Sequence, residues 1–143
     1  MKDARIIDAN LNRLREGIRV VEDICRYILN DEILAKKLKE LRHISRIPEI
    51  YDELLNSRDS ENDVLRANSA GENDRSFEIK NVLIANFKRA QEAARVLEEI
   101  FKIFEGDLAA ISAKESAKYK NIRYEIYTLE KNALSLAAKL PAA

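Results

Sequence analysis

The sequence predicts an all-α protein, an antiparallel four-helix bundle made of two pseudo-repeated helical hairpins that a long polar loop joins. Three observations support this fold class. Charged residues make up 35% and hydrophobic residues 46% of the 143 residues, with only three Gly and two Pro, a mixture typical of long amphipathic helices. Apolar residues recur at three- and four-residue spacing along most of the chain. Finally, residues 8–27 are repeated, without a gap, at residues 84–103.

The repeat preserves polar residues as well as apolar ones, matching Asn10 with Asn86, Arg13 with Arg89, Glu16 with Glu92, Arg19 with Arg95 and Glu22 with Glu98. Similar helix cores account for matching apolar residues, but they do not account for matching polar ones. Two such hairpins packed about a pseudo-twofold axis would bring Asn10 and Arg13 toward Asn86 and Arg89 across the bundle.

The first hairpin is expected over about 2–55. Its first helix, about 2–29, carries the apolar stripe Ile7, Leu11, Leu14, Ile18, Val21, Cys25 and Ile28. Asp31 is a good N-cap for the second helix, whose apolar residues are Leu34, Leu38, Leu41 and Ile44. Pro48 interrupts that helix, and residues 49–55 are predicted to form a short continuation set at an angle.

The second hairpin is expected over about 76–140, within the same single domain of residues 1–143. Its first helix, about 77–104, should end before Gly106, and Asp107 should cap the last helix, which continues to about 139. The apolar seam of that helix is Ile122, Ile126, Leu129, Ala133 and Leu136. Residues 120–124 also echo residues 39–43, so the second helices of the two hairpins are predicted to be related as well.

A polar amide stands inside the apolar stripe of each repeated helix. Burying an amide without a partner costs about 1–3 kcal/mol by mutational estimates, so Asn10 and Asn86 need hydrogen bonds. Two interpretations remain open at this point. Each Asn either fixes the register of a helical bundle or, together with the Arg one turn later, belongs to a ligand site.

Composition excludes several classes of function. Lys plus Arg and Asp plus Glu both number 25, so no net charge favours nucleic acid or a membrane surface. There is no Gly-rich phosphate loop and no apolar run long enough to span a membrane. Cys25 is the only Cys and His43 the only His, which excludes an internal disulfide and a His/Cys metal site. We expect a soluble cytoplasmic protein.

The polar stretch at 56–75 contains charges of both signs and few apolar residues. Loops of this length inside a compact domain are uncommon and are usually functional or disordered. The stretch is therefore either a solvated linker between the hairpins or a functional loop.

Five segments, in order along nearly the whole chain, resemble the small single-function hydroxymethylpyrimidine phosphate kinases of thiamine biosynthesis. They are residues 8–23, 41–43, Arg58-Asp59 with Asp63-Val64, 85–99 and 123–130. The resemblance implies transfer of the ATP γ-phosphoryl group, with Mg²⁺, to 4-amino-5-hydroxymethyl-2-methylpyrimidine phosphate. The diphosphate product would serve thiamine phosphate synthesis, and the free alcohol would not be a substrate. In other proteins of this kind the domain is often fused in front of thiamine phosphate synthase.

With that activity in mind, side chains can be given roles as hypotheses. Arg13 and Arg89 would bind phosphate, while Arg58 would lie near the ATP phosphates and Asp59 and Asp63 near the metal ion. Asn10 and Asn86 would contact the pyrimidine edge or orient those Arg side chains, and Glu16 and Glu92 would orient Arg or reach Mg²⁺. The second-rank candidates for substrate binding are Arg42, His43, Arg123, Tyr127 and Glu130.

The competing interpretation is a helical interaction module without chemistry of its own, which would dock on thiamine phosphate synthase. The sequence also leaves a homodimer open.

Overall fold

In a computed structural model, residues 4–67, 78–103 and 109–141 are described, with side chains from residue 114 onward in the last of these ranges. Every regular element in these ranges is helical. The elements are α1 (Ala4–Tyr27), α2 (Glu32–Ile44), a 3₁₀ turn (Pro48–Ile50), α3 (Tyr51–Ser57), α4 (Ile79–Ile100) and α5 (Ala109–Ala137). The predicted all-α class is confirmed: four long helices and the short α3 make up the described structure.

The turn between α1 and α2 follows from two side chains. Asn30 adopts a left-handed backbone conformation with φ of 53°, which Asn tolerates better than most residues and which ends α1. Asp31 then caps α2, since its carboxylate accepts a hydrogen bond of 2.8 Å from the backbone N–H of Leu34. The predicted N-cap is therefore confirmed.

Two predicted helix ends and the predicted burial of Ile44 need correction. The first helix ends at Tyr27 rather than near residue 29, so Ile28 leaves the apolar stripe and is exposed. Ile44 is the last residue of α2 and is also exposed, because the chain turns away there toward Pro48. The third long helix ends at Ile100 rather than near residue 104, since residues 101–103 form a turn. The predicted stop at Gly106, the predicted cap Asp107 and loop residues 68–75 lie outside the described ranges.

The core lies where α1 packs on α4 and where each of these helices packs on its own hairpin partner. Gly17 of α1 allows α1 and α4 to approach each other closely. A Cβ atom at this position would lie 3.1 Å from the carbonyl oxygen of Asn86 and 3.4 Å from Cβ of Ala90. Tyr119, from α5, is fully buried, and its hydroxyl donates a hydrogen bond of 2.7 Å to the carbonyl oxygen of Ser45.

The two hairpins carry the same ion pair at equivalent positions. In the first, Arg42 of α2 donates from Nε and Nη2 to the two carboxylate oxygens of Glu22, at 2.7 and 3.3 Å. In the second, Arg123 of α5 donates from Nε and Nη2 to Oε1 of Glu98, at 3.2 and 2.9 Å. Both Glu residues are almost fully buried. The predicted relation between the second helices is therefore visible in the structure. None of the described helices is long and apolar enough to cross a bilayer.

Candidate functional site

The two copies of the repeat face each other across one cavity of about 620 Å³ between α1 and α4, which we call the central groove. Each helix contributes the same five positions of the repeat. They are Asn10, Arg13, Glu16, Gly17 and Val20 from α1, and Asn86, Arg89, Glu92, Ala93 and Val96 from α4. The convergence that the pseudo-twofold arrangement predicts is thus present in the structure.

Each buried amide holds the guanidinium group of its own copy. The Nδ2 atoms of Asn10 and Asn86 both donate, at 2.9 Å, to the backbone carbonyl four residues earlier in the same helix. Their Oδ1 atoms accept hydrogen bonds from Nη1 of Arg13 at 3.4 Å and of Arg89 at 3.3 Å. Because both Asn residues are buried and both Arg residues are exposed, each pair presents an oriented cation to the groove.

Glu16 and Glu92 are exposed on the walls of the central groove, and neither forms an ion pair with a described residue. The groove therefore contains two guanidinium groups and two carboxylates, with no net formal charge. An anion that enters the groove is attracted by Arg13 and Arg89 and repelled by the two carboxylates. A doubly charged phosphate would be held better if a cation accompanied it.

A second cavity, of about 600 Å³, lies between the first half of α1 and residues 58–64, and we call it the loop cavity. Its polar lining residues are Arg5, Asp8, Asn12, Arg13, Arg58, Asp59, Ser60 and Asp63. Arg13 lines both the loop cavity and the central groove. Residues 58–64 of the predicted polar loop are thus placed against the same Arg that the repeat singles out.

Arg58 is held by a partner that the sequence analysis did not select. Its Nε and Nη2 atoms each donate to a carboxylate oxygen of Asp8 at 2.8 Å, and these hydrogen bonds raise the pKa of Arg58. Asp8 is buried, and it interrupts the repeat, because Ile84 occupies the equivalent position in α4. This departure alone would not have identified Asp8, since the repeat also changes charge at Asn12, which matches Lys88, and at Arg15, which matches Gln91.

The two carboxylates predicted to hold a metal ion lie in the loop cavity. Asp59 accepts hydrogen bonds of 3.0 and 3.1 Å from the Asn62 side chain, and Asp63 accepts one of 3.1 Å from the backbone N–H of Leu65. Within the described ranges, no group of three or more His, Cys, Asp or Glu residues could hold a metal ion. Two carboxylates suit Mg²⁺ that is bound mainly through phosphate oxygens and water.

Several predicted binding residues lie away from both cavities. Arg42 and Arg123 are engaged by Glu22 and Glu98, as described above. His43 is exposed on α2, and the Tyr127 hydroxyl accepts a hydrogen bond of 3.2 Å from Nη1 of Arg123. Glu130 accepts hydrogen bonds from Lys88 at 3.2 Å and from Gln91 at 2.9 Å. These five side chains belong to α2 and α5, whereas Asn10, Arg13, Asn86 and Arg89 belong to α1 and α4. The structure therefore separates the two sets.

Comparison with known proteins places the chain in a family. A sequence profile of the ThiD2 family matches residues 5–132, nearly the whole chain. The chain belongs to the ThiD2 family. One relative is the thiamine-phosphate synthase of Nostoc punctiforme, which is 40% identical over 129 residues; these are 90% of the chain and 34% of that protein. Another is the thiamine-phosphate synthase of Synechocystis sp. strain PCC 6803, which is 39% identical over 131 residues, 92% of the chain and 36% of that protein.

The thiamine-phosphate synthase of Prochlorococcus marinus strain SARG is 41% identical over 127 residues, which are 89% of the chain and 34% of that protein. The chain thus spans about a third of the length of these relatives. No solved structure matches it significantly. This member of the ThiD2 family is therefore related, over nearly its whole length, to one part of proteins that synthesise thiamine phosphate.

Proposed function

We propose that this chain takes part in thiamine biosynthesis as a kinase that transfers the ATP γ-phosphoryl group to 4-amino-5-hydroxymethyl-2-methylpyrimidine phosphate. The observation that carries the proposal is the position of Arg13. This residue faces Arg89 across the central groove and also lines the loop cavity. The acceptor phosphate would bind in the groove and the ATP phosphates in the loop cavity, so Arg13 would contact both.

The reaction requires no general base, so the absence of a His from the lining of the two cavities is no objection to it. A phosphate monoester has a second pKa near 6, so the attacking oxygen is already largely ionised at neutral pH. This oxygen forms a bond to the γ-phosphorus, and the bond between that phosphorus and the β,γ-bridging oxygen breaks, so that ADP leaves with the electron pair. No proton must be removed. Positioning and neutralisation of charge are then the main tasks of the protein, and Arg side chains perform both.

The distribution of charge supports a requirement for Mg²⁺. Glu16 and Glu92 balance Arg13 and Arg89 in the central groove, so the Arg residues do not neutralise two phosphorylated ligands by themselves. Asp59 and Asp63 would hold Mg²⁺ already bound to the ATP phosphates, which matches the way proteins usually bind this ion. When bound, Mg²⁺ would neutralise charge on the β- and γ-phosphates. Both ATP and Mg²⁺ are supplied by the cytoplasm, where we place the reaction.

The relatives suggest what uses the product. They are thiamine-phosphate synthases that are about three times as long as the matched region. We infer that the chain acts beside a synthase unit, which would consume the pyrimidine diphosphate. The relatives are also compatible with the alternative function, a helical module that binds a synthase and catalyses no reaction itself.

Turnover distinguishes the two functions. ADP release is measured in a coupled assay with MgATP and either the pyrimidine phosphate or the free alcohol. We expect turnover of the phosphate alone, because the alcohol needs a base and leaves the phosphate-binding Arg residues without a partner. Turnover of neither compound, together with tight binding to a thiamine-phosphate synthase, would favour the module. A bundle with neither role would show no rise in melting temperature with MgATP.

Substitution of Arg13 tests the assignment of the site. Arg13→Ala should abolish turnover and leave the helical circular dichroism spectrum unchanged, since the Arg13 side chain is exposed. Arg19→Ala is the matched control, because Arg19 lies on the same helix, pairs with Asp23 on the surface and lines neither cavity. If Arg13→Ala retains turnover within a few-fold of the unsubstituted protein, Arg13 does not bind the reacting phosphates.

A further inference from the structure

The two hairpins differ most where α2 ends. In the second hairpin α5 runs unbroken from Ala109 to Ala137, whereas α2 stops at Ile44 and Pro48 begins a 3₁₀ turn. A third cavity, of about 250 Å³, opens at this point between α1 and residues 46–58, and we call it the Arg15 cavity. Its lining residues are Asp8, Leu11, Asn12, Arg15, Arg46, Ile47, Pro48, Tyr51, Leu54 and Arg58.

Arg15 lacks the partner that its counterpart has. The repeat matches it with Gln91, which is buried and donates a hydrogen bond of 2.9 Å to Glu130 of the unbroken α5. The Nε atom of Arg15 is buried as well, but it has no hydrogen-bond partner among the described residues. Partial burial lowers the pKa of Arg15, and the nearby charges of Arg46 and Arg42 lower it further. A cation in such surroundings is stabilised by an anion.

The other charges at this cavity do not supply that anion. Asp8 is the only carboxylate in the lining, and both of its oxygens accept hydrogen bonds from Arg58. Glu22, on the same helix, is engaged by Arg42. Arg46 forms no ion pair with any described side chain. Because those carboxylates are already paired, the guanidinium groups of Arg15 and Arg46 have no compensating anion in this cavity.

We propose that the Arg15 cavity binds a phosphate group, as inorganic phosphate or as a small phosphate monoester, between the guanidinium groups of Arg15 and Arg46. Guanidinium groups match phosphate oxygens in charge and geometry. The cavity volume of about 250 Å³ lies below the roughly 300–1,000 Å³ of pockets for drug-sized ligands, so a whole nucleoside triphosphate does not fit. The apolar lining, including Tyr51, would cover the small organic group of a monoester.

This site lies apart from the central groove, where the acceptor phosphate would bind, and it shares Asp8 and Asn12 with the loop cavity. At roughly 100° per residue, Arg15 lies on nearly the opposite side of α1 from Asn10 and the central groove. The proposal therefore goes beyond the kinase function and does not depend on it. Arg58, however, lines both the Arg15 cavity and the loop cavity, so a bound phosphate would lie near the ion pair that holds residues 58–64 against α1.

The test uses protein in which the central groove can no longer bind phosphate. Calorimetric titration of inorganic phosphate into Arg13→Ala/Arg89→Ala protein should still detect one site per chain. Adding Arg15→Gln, which installs the residue found at the equivalent position of α4, should weaken that binding by roughly tenfold or more. Arg46→Gln should do the same, and the matched control Arg19→Gln should leave binding unchanged. Arg15→Gln removes an unpaired, partly buried cation, so we expect this variant to fold.

Titration of three ligands identifies the source of the phosphate. Phenyl phosphate binding more tightly than inorganic phosphate would assign the cavity to an organic monoester, and equal or weaker binding would assign it to inorganic phosphate. Tighter binding of ATP than of either would contradict the size argument. Absence of a phosphate site in Arg13→Ala/Arg89→Ala protein, or equal affinity with and without Arg15→Gln and Arg46→Gln, would overturn the proposal.

Discussion

The buried Asn residues show how one side chain can have both of the roles that the sequence leaves open. Each amide donates one hydrogen bond to its own helix and accepts one from the neighbouring Arg. The amide nitrogen and oxygen are therefore both hydrogen-bonded without a ligand. At the same time, the amide fixes a guanidinium group toward the central groove. A structural role for Asn10 and Asn86 therefore does not compete with a role in binding, because the second follows from the first.

Cys25 leads to a prediction about alkaline pH. Burial raises the pKa of its thiol from 9.0 to about 11, with a smaller contribution from Asp31. A thiol whose pKa is higher in the folded state contributes stability below pH 9, which is lost progressively as the pH rises from about 9 to 11. The loss should reach up to about 2–3 kcal/mol of the free energy of unfolding. Urea unfolding at pH 8, 9, 10 and 11 measures it.

The matched variant for this measurement is Cys25→Ala, which should be less stable at every pH but should lose less stability between pH 9 and 10. Above pH 10, Tyr119 adds to the loss in both proteins, because burial and the nearby Glu115 raise the pKa of its hydroxyl. Equal changes between pH 9 and 10 in the two proteins would show that Cys25 does not titrate as the structure indicates.

At the scale of elements, the hairpin is the unit that the chain repeats. Both copies contain a long inner helix, a second helix and an ion pair that joins them, Glu22–Arg42 in the first and Glu98–Arg123 in the second. The amphipathic periodicity of the sequence predicts the helices but not these pairs. Residues 22 and 42 are far apart along the chain, so no periodic pattern connects them. Their equivalence becomes visible only when the second helices are compared as well.

Breaking the first of these pairs should destabilise the fold. Arg42→Met leaves the buried Glu22 carboxylate, 2% exposed, without its cation, which should cost about 3 kcal/mol of unfolding free energy, the lower part of the range for a broken buried pair. Arg19→Met removes a surface pair with Asp23 and should cost less than about 1 kcal/mol. Glu22→Met together with Arg42→Met should recover most of the loss. A double variant no more stable than Arg42→Met would show that packing, rather than charge, is responsible.

The contact between α1 and α4 should be sensitive to the size of residue 17. Gly17→Val places atoms against the Asn86 carbonyl oxygen, which already lies 3.1 Å from the position of a Cβ atom. We expect a loss of about 2–3 kcal/mol in urea unfolding, typical of overpacking. Gly17→Ala should be nearly neutral, because a gain in helix propensity of about 1 kcal/mol offsets a smaller clash. A valine variant as stable as the unsubstituted protein would mean that the two helices can separate easily.

For the whole molecule, the sequence predicts the structural features that follow a periodic or repeated pattern. It does not predict contacts between distant residues that follow no such pattern. The helical repeat is sufficient to predict four long helices and the convergence of Arg13 with Arg89 in one groove. Pro48 predicts the break after α2. The pairing of Arg58 with Asp8, which fixes residues 58–64, joins distant positions without any pattern and could not be predicted. The Arg15 cavity was missed for a related reason, since it arises where the two hairpins stop being equivalent.

This inequivalence predicts different effects for two residues that the repeat treats as the same. Arg13 lines both the central groove and the loop cavity, whereas Arg89 lines only the groove. If the kinase proposal is correct, Arg89→Ala should raise KM for the pyrimidine phosphate roughly 10- to 100-fold, the effect of losing a charged hydrogen bond, and should leave KM for ATP unchanged. Arg13→Ala, which should abolish turnover, should weaken the binding of both substrates. Steady-state kinetics of Arg89→Ala, with Arg95→Ala as an exposed control on α4, and calorimetric titration of each substrate into both variants measure this difference. Identical effects on both substrates in the two variants would mean that phosphoryl transfer does not take place between the groove and the loop cavity.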